Sequence, residues 1–122
     1  MTPNEKTIRD FCAAWSRLDA KELAGFFAPD GVYHNIPTEP VRGREAVAAF
    51  IAGFAKDWSS TRFELLNVVA QGDLVIAERV DRTMVGGKPV HLPCCGVFEM
   101  QDGKIRVWRD YFDLGTYLNA LR

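Results

Sequence analysis

The chain has 122 residues, of which 48% are hydrophobic, and its 15 Lys and Arg nearly balance its 16 Asp and Glu. This length and composition predict one globular domain, residues 1–122, with enough apolar side chains for a core. A formal net charge of −1 offers no basic surface for nucleic acid or an anionic membrane. No apolar run approaches the roughly 20 residues of a membrane span, and no leader pattern opens the sequence, so we expect a cytoplasmic protein.

The three cysteines predict neither a disulfide framework nor a metal site. Their number is odd, and adjacent Cys94 and Cys95 would point to opposite faces of any strand. We expect these two and Cys12 to be small buried hydrophobic residues.

Capping signals and apolar spacing predict three helices in the first half of the chain. Thr2-Pro3-Asn4-Glu5 combines a capping residue, Pro at the first helical position and Glu three residues after the cap. Asp19 and Glu22 repeat the pattern for a short second helix that Pro29-Asp30-Gly31 ends. A third helix is predicted from about Arg44 to Trp58.

Alternating residues predict strands in the rest of the chain. A short strand covers residues 32–36, and four longer strands cover 62–71, 74–85, 89–100 and 104–112. Tight turns make the last four strands successive antiparallel neighbours. Asp113 is expected to cap a final helix around residues 114–121. The order of elements predicts an α+β fold, with helices over one face of a curved sheet.

Three charged residues fall on one face of this sheet. Arg79 and Asp81 are neighbours at i, i+2 on one strand, and a two-residue turn pairs Arg79 with Cys94. A three-residue loop at Gln101-Asp102-Gly103 would place Asp110 opposite Cys94 as well. In that register Arg79 lies between the two carboxylates, about 9–10 Å from Asp110 at the backbone.

The cluster of Arg79, Asp81 and Asp110 has two interpretations. One is a structural ion-pair network, which also perturbs pKa values. Two features favour a catalytic site instead. One Arg between two Asp leaves a net negative charge beside Trp108 and Phe112, a poor arrangement for stability alone. Two carboxylates in unlike surroundings can also supply an acid and a base at one pH.

At these residues the sequence resembles limonene-1,2-epoxide hydrolase and its relatives, within the superfamily of nuclear transport factor 2-like and SnoaL-like domains. Helix order and spacing agree over nearly the whole chain. The resemblance implies N-terminal helices over a strongly curved mixed sheet, which forms a cone with a deep pocket. The similar segments are Val32-Tyr33-His34-Asn35-Ile36-Pro37, Glu78-Arg79-Val80-Asp81, Gly96-Val97-Phe98, Gly103-Lys104-Ile105 and Trp108-Arg109-Asp110-Tyr111-Phe112-Asp113-Leu114.

The resemblance also implies an epoxide hydrolase that adds water in one concerted step, with no cofactor, metal or covalent enzyme ester. Asp110, Tyr33 and Asn35 would hold the attacking water, with Asp110 as general base. Asp81 would protonate the epoxide oxygen, and Arg79 would bridge the two carboxylates. Judged from the residues alone, Tyr33 and Asn35 could instead be strand-end residues that bond nearby backbone.

A pocket for a small apolar epoxide follows from the same resemblance. Trp58, Thr83 and Cys94 stand where smaller or more aliphatic residues are expected in that family, which leaves the substrate open. The residues expected in the wall are Cys12, Trp15, Phe54, Trp58, Phe63, Thr83, Leu92, Cys94, Trp108, Phe112 and Tyr117.

Two alternatives stay open. A ketosteroid isomerase-like or polyketide cyclase-like enzyme on the same fold would use an Asp to abstract a carbon-bound proton, and would need a donor for the resulting oxyanion. The other alternative is a non-catalytic small-molecule-binding or dimerisation module. Arg109 and Tyr111 face away from Asp110, and this exposed strand face predicts a homodimer.

Overall fold

The structure, a computed structural model, describes all 122 residues. Four α-helices lie at Pro3–Ala14 (α1), Ala20–Ala24 (α2), Arg44–Phe54 (α3) and Leu114–Ala120 (α4), and a 3-10 turn at Trp15–Arg17 follows α1. Six strands lie at Phe27–Asn35 (β1), Val41–Arg42 (β2), Trp58–Gln71 (β3), Leu74–Val85 (β4), Lys88–Gln101 (β5) and Lys104–Tyr111 (β6). None of the four helices combines the length and the apolar character that a membrane crossing requires.

The strands form one mixed sheet in the order β2-β1-β6-β5-β4-β3. Strands β3 to β6 are the predicted antiparallel meander, and β1 joins β6 in parallel. Alternation along β4 and β5 sends their buried side chains to one face, where α1 and α3 cover them. The predicted α+β architecture, with helices over one face of a mixed sheet, is confirmed.

The helix starts predicted from capping signals are confirmed. The side chain of Thr2 accepts a hydrogen bond from the backbone N–H of Glu5, and that of Asp113 accepts one from Thr116. Asp19 caps α2 in the same way. Each cap satisfies a backbone N–H that the helix itself leaves unpaired, and contributes about 1 kcal/mol.

Strand β2 was not predicted, and two junctions between a helix and a strand also differ from the prediction. Helix α3 ends at Phe54, and Trp58 begins β3, where it pairs with Val85. Phe27 was predicted to lie in the second helix, before Pro29, but it belongs to β1 and pairs with Ile105 of β6. In both places pairing across the sheet outweighs the local helical spacing of the apolar residues.

The predicted three-residue loop before β6 is wrong. Gln101 pairs with Lys104, so that Asp102 and Gly103 alone make the turn. Their φ angles are 51° and 77°. Two successive left-handed residues form the turn whose twist matches the flanking strands.

A β-bulge brings Asp110 to the predicted face despite that shorter turn. The residue Arg106 of β6 has no partner in β5, and the alternation of β6 shifts by one residue there. Asp110 therefore lies on the expected face, but opposite Gly96 and not opposite Cys94. The predicted pairing of Arg79 with Cys94 is confirmed.

Aromatic rings pack against one another over the inner face of the neighbouring strands β1 and β6. Trp108 of β6 stacks on Tyr33 of β1, with ring centroids 4.3 Å apart and planes 5° from parallel. Its other neighbours include Phe98, stacked at 5.2 Å, and Phe11 of α1, edge-on at 5.1 Å. These contacts fix the two strands that carry Asp110 and Tyr33 relative to each other.

Candidate active site

A cavity of about 260 Å³ lies between the helices and the inner face of the sheet. Eight of its 17 lining residues are aromatic, and the charged groups in its wall are Arg79, Asp81 and Asp110. An apolar cavity with a few convergent polar groups is the usual form of a small-molecule site. The three charges therefore mark the part of the wall where chemistry can occur.

Arg79 binds both carboxylates with bidentate hydrogen bonds. Its Nε donates to Asp81 Oδ1 at 2.8 Å, and its Nη2 to Asp81 Oδ2 at 3.1 Å. Its Nη1 donates to Asp110 Oδ1 at 2.9 Å, and its Nη2 to Asp110 Oδ2 at 2.6 Å. Bidentate pairing fixes the plane of each carboxylate as well as its position. One guanidinium thus sets the orientation of both acids.

The backbone at Gly96 makes the contact between Arg79 and Asp110 possible. Gly96 lies on β5, between the strands of Arg79 and Asp110. A Cβ at this position would lie 2.9 Å from Arg79 Nη1 and 2.9 Å from Trp108 Nε1. Such distances are shorter than van der Waals contact. The guanidinium therefore passes over this strand through the space that a side chain would fill.

Burial and the neighbouring charges shift the pKa values of Asp81 and Arg79 from their usual values. Desolvation and, to a smaller extent, the neighbouring charge of Asp110 raise the pKa of Asp81 to about 6, against the opposing charge of Arg79. Burial alone would lower the pKa of Arg79, but the two carboxylates outweigh it and hold that pKa well above its usual value. Arg79 stays charged, while Asp81 can keep a proton close to neutral pH.

Tyr33 and Asn35 stand beside Asp110 on the parallel strand β1. Asn35 pairs with Asp110 in the sheet register, Tyr33 pairs with Trp108, and both line the cavity. Burial, followed by the charge of Asp110, raises the pKa of Tyr33 well above its usual value. Its hydroxyl therefore stays protonated and able to donate.

The chain matches the family model described as SnoaL-like domain over residues 8–108. It belongs to the SnoaL-like family. The Mycobacterium tuberculosis (strain ATCC 25618 / H37Rv) protein named epoxide hydrolase EphG is 29% identical over 114 residues, which cover 93% of this chain and 76% of that protein.

Solved structures agree on the fold of this SnoaL-like chain, which is nuclear transport factor 2-like. The structure of an M. tuberculosis LEH-like epoxide hydrolase has a TM-score of 0.84 and 28% identity, over 98% of this chain and 89% of that one. A putative polyketide cyclase from Xanthomonas campestris pv. campestris has a TM-score of 0.88 over 98% and 97% of the two chains. Its identity is 20%, so this second likeness concerns the fold alone.

All five residues predicted as catalytic line the cavity of the SnoaL-like domain, and so do eight of the 11 predicted wall residues. The other three lie outside its lining: Trp108 stacks behind Tyr33, Cys94 contacts Asp81, and Cys12 packs in the core. The eight that line it are Trp15, Phe54, Trp58, Phe63, Thr83, Leu92, Phe112 and Tyr117.

Four lining residues were absent from the sequence prediction: Thr38, Phe50, Val90 and Leu114. Two of them carry a usable signal. Val90 is the cross-strand partner of Thr83, and Phe50 lies four residues before Phe54 on the same face of α3. Thr38 and Leu114 reach the cavity from a turn and from the start of α4, where no periodicity marks the direction of a side chain.

Cys94 is buried next to the Arg79, Asp81 and Asp110 cluster, outside the cavity lining, and contacts Asp81. Its Sγ donates to Asp81 Oδ2 at 3.5 Å, and burial raises the pKa of the thiol far above its usual value. The ligand atoms of Asp81, Cys94 and Asp110 all lie within 4.8 Å of one another. A neutral thiol is a poor metal ligand, however, and the guanidinium of Arg79 already supplies positive charge to both carboxylates.

Proposed function

We propose that this SnoaL-like protein is an epoxide hydrolase, which adds water to a small, mostly apolar epoxide and releases a vicinal diol. The observation that carries the proposal is the pair of bidentate contacts from Arg79 to Asp81 and Asp110 in the wall of an aromatic cavity. Epoxide opening needs a base for the attacking water and an acid for the oxygen that leaves carbon. The likeness to named epoxide hydrolases at 28–29% identity supports the same conclusion.

Asp110 is the proposed general base. It takes one proton from a water that Asn35 and Tyr33 also bind, since Asn35 pairs directly with Asp110 and Tyr33 lines the same wall. The water oxygen then bonds to an epoxide carbon while the bond between that carbon and the ring oxygen breaks. Water attacks directly, so no ester forms on the protein.

Asp81 is the proposed general acid. Its pKa of about 6, raised by burial, lets it enter the reaction protonated and pass that proton to the ring oxygen as the bond breaks. Each turnover then leaves Asp110 protonated and Asp81 ionised. Because their oxygens lie within 4.8 Å and both contact Arg79, the proton can return over a short path.

The isomerase-like and cyclase-like alternatives use the same base differently. An enolate oxyanion would need a donor. The two carboxylates already engage all three nitrogens of Arg79, so that role would fall to the Tyr33 hydroxyl or to protonated Asp81. Incubating candidate ketones in D₂O separates the reactions, because a carbon-acid mechanism exchanges deuterium into the ketone and epoxide hydrolysis does not. A binding module would bring neither exchange nor diol.

We also propose that the protein is a homodimer, through the outer face of the sheet. Tyr111 on this face is 45% exposed, and Val69 on β3 is 62% exposed. Light scattering of the wild type and of Tyr111→Lys tests this, with a dimer expected to weaken in the variant. A monomeric wild type at tens of micromolar would contradict it.

The cytoplasmic location expected from the sequence stays a prediction.

The proposed reaction is tested with a panel of cyclic and linear epoxides assayed for diol. Asp110→Asn and Asp81→Asn keep the shape of each side chain and remove its acid–base function. We expect each to lower kcat by about 10²- to 10⁴-fold. Asp113→Asn is the matched control, because Asn caps a helix as well as Asp and Asp113 lies outside the cavity lining. Undiminished turnover in either of the first two variants would contradict the assignment.

A further inference from the structure

Two threonine hydroxyls form a buried pair in the wall of the cavity, apart from the Arg79 cluster. Thr61 on β3 and Thr83 on β4 are direct cross-strand partners, 6% and 5% exposed. Their Oγ1 atoms lie 2.7 Å apart. Thr83 lines the cavity and Thr61 does not. The pair therefore presents one of its two hydroxyls to whatever the cavity holds.

A count of the hydroxyl hydrogens in this pair shows that one of them takes no part in the bond between the two threonines. Two hydroxyl groups carry two hydrogens, and the single bond between them uses one. Neither hydroxyl makes another hydrogen bond within the chain. Both groups are satisfied when Thr61 donates to Thr83, because the hydrogen of Thr83 is then free to point into the cavity. A buried donor left without any acceptor is costly, so this arrangement favours an acceptor inside the cavity.

The position of Thr83 determines where that acceptor would lie. Thr83 follows Asp81 by two residues on the same face of β4, a separation of about 7 Å along the strand. On its other side Thr83 pairs with Val90, which cannot hydrogen-bond through its side chain. The donor thus stands one strand repeat away from the acid, next to an apolar neighbour.

We propose that the Thr83 hydroxyl binds a second oxygen of the substrate, a ketone or hydroxyl oxygen some 7 Å from the epoxide oxygen that Asp81 protonates. This assignment rests on the proposed epoxide hydrolysis for the nature of the substrate. The protein then takes oxygenated epoxides in preference to hydrocarbon epoxides of the same shape. Thr61 acts as a positioning residue, which holds the Thr83 hydroxyl by donating to it.

Binding of unreactive ligands tests the subsite without relying on catalysis. Acetylcyclohexane and isopropylcyclohexane have similar shapes, and only the first carries an oxygen. Their dissociation constants can be followed through the fluorescence of Trp15 and Trp58, which line the cavity. We expect Thr83→Val to reduce the preference for acetylcyclohexane by about 3- to 10-fold, as the loss of one hydrogen bond predicts. Thr83→Ser, which keeps the hydroxyl, should retain the preference.

The same comparison is then made on reactive ligands, with 4-acetylcyclohexene oxide and 4-isopropylcyclohexene oxide. The ratio of their kcat/KM values should fall in Thr83→Val by the same factor as the binding ratio. If neither epoxide gives a diol, epoxide hydrolysis fails while the binding ratio still decides the role of Thr83. If Thr83→Val leaves the binding ratio unchanged, the subsite is wrong whatever the diol assay shows.

The double variant Thr61→Val/Thr83→Val guards against a folding artefact. It removes both hydroxyls, so it leaves no unpaired buried group where Thr83→Val alone strands the Thr61 hydroxyl. We expect the double variant to show the same reduced binding ratio as Thr83→Val, with a native circular dichroism spectrum. A wild-type binding ratio in the folded double variant would overturn the proposal.

Discussion

Arg79 reaches Asp110 across an intervening strand, and Gly96 leaves the space through which it passes. The two residues lie on β4 and β6, yet Arg79 Nη2 and Asp110 Oδ2 are 2.6 Å apart. Asp81, on the strand of Arg79, receives the other side of the same guanidinium. The geometry of both acids thus depends on one cation and on one residue that has no side chain.

Gly96→Ala should disturb this bridge. The added Cβ would meet Arg79 Nη1 and Trp108 Nε1 at 2.9 Å, and the guanidinium, held by four hydrogen bonds, cannot move without losing contact with Asp110. We expect a loss of about 1–3 kcal/mol in the free energy of unfolding. We also expect kcat/KM to fall by at least about tenfold, since general acid–base catalysis depends on the exact positions of the two carboxyl groups. Kinetics and urea unfolding measure the two effects.

The matched control for that variant is Gly53→Ala. Gly53 lies in α3, has no positive φ, and has open space where a Cβ would be added, with no atom within 4 Å. Ala is the better helix former, so this variant should be as stable as the wild type or slightly more stable. Equal effects of the two substitutions would show that Gly96 has no special relation to Arg79.

The rate of hydrolysis should fall as pH rises through about 6. Asp81 must be protonated to act as the acid, and burial raises its pKa to about 6. Below that pH the acid holds its proton, whereas above it the active fraction drops about tenfold per pH unit. A profile of kcat/KM from pH 4 to 9 measures this limb. Full activity up to pH 9 would mean that another group donates the proton.

The free energy of unfolding should also depend on pH through the raised pKa of Asp81. The pKa of Asp81 is raised on folding from 3.8 to about 6, so the folded protein binds more protons than the unfolded chain between these values. This contribution is fully present below about pH 4 and is lost as pH rises through about 6. Asp81→Asn removes it. Urea unfolding of both proteins at pH 4 to 7 should therefore give a difference that changes with pH, and parallel curves would contradict the raised pKa.

Removing the bridging cation should be far more damaging than removing a surface one. Arg79→Met leaves two buried carboxylates without their partner, which costs about 3–5 kcal/mol at neutral pH. The penalty should shrink toward pH 4 as Asp81 takes up a proton. Arg82→Met is the control on the same strand: Arg82 pairs with Glu64 at the surface at 2.9 Å, a bond worth about 0–1 kcal/mol. Similar losses in the two variants would argue against a tightly held cluster.

The sequence sufficed to place Arg79, Asp81 and Asp110 on one face, because alternation along a strand is fixed by backbone geometry. It did not reveal how Asp110 arrives there. A three-residue loop at 101–103 and a bulge at Arg106 each shift the alternation by one, and nothing in the residue pattern distinguishes them. With the predicted three-residue loop, Asp110 would lie opposite Cys94 and not opposite Gly96. The need for a glycine at position 96 could therefore not be inferred from the sequence.

Trp58 shows a second limit of sequence reasoning. Its spacing from Phe54 suits a helix, but the structure places it at the start of β3, with its Nε1 donating to the hydroxyl of Tyr117 at 3.0 Å. From β3 its side chain lines the cavity. The wall residues Thr38 and Leu114 depend on the path of a turn and of α4, which no local pattern specifies.

The central claim is that water attacks the epoxide directly, with Asp110 as general base and Asp81 as general acid. A single turnover in water enriched with oxygen-18 tests it most directly. Protein in excess is mixed with an epoxide that the panel shows to be hydrolysed, and the diol is analysed by mass spectrometry. If water adds directly, every diol of the first turnover carries one labelled oxygen. A first-turnover diol without label would contradict the account, because its new oxygen would have come from a carboxylate of the protein through a covalent ester.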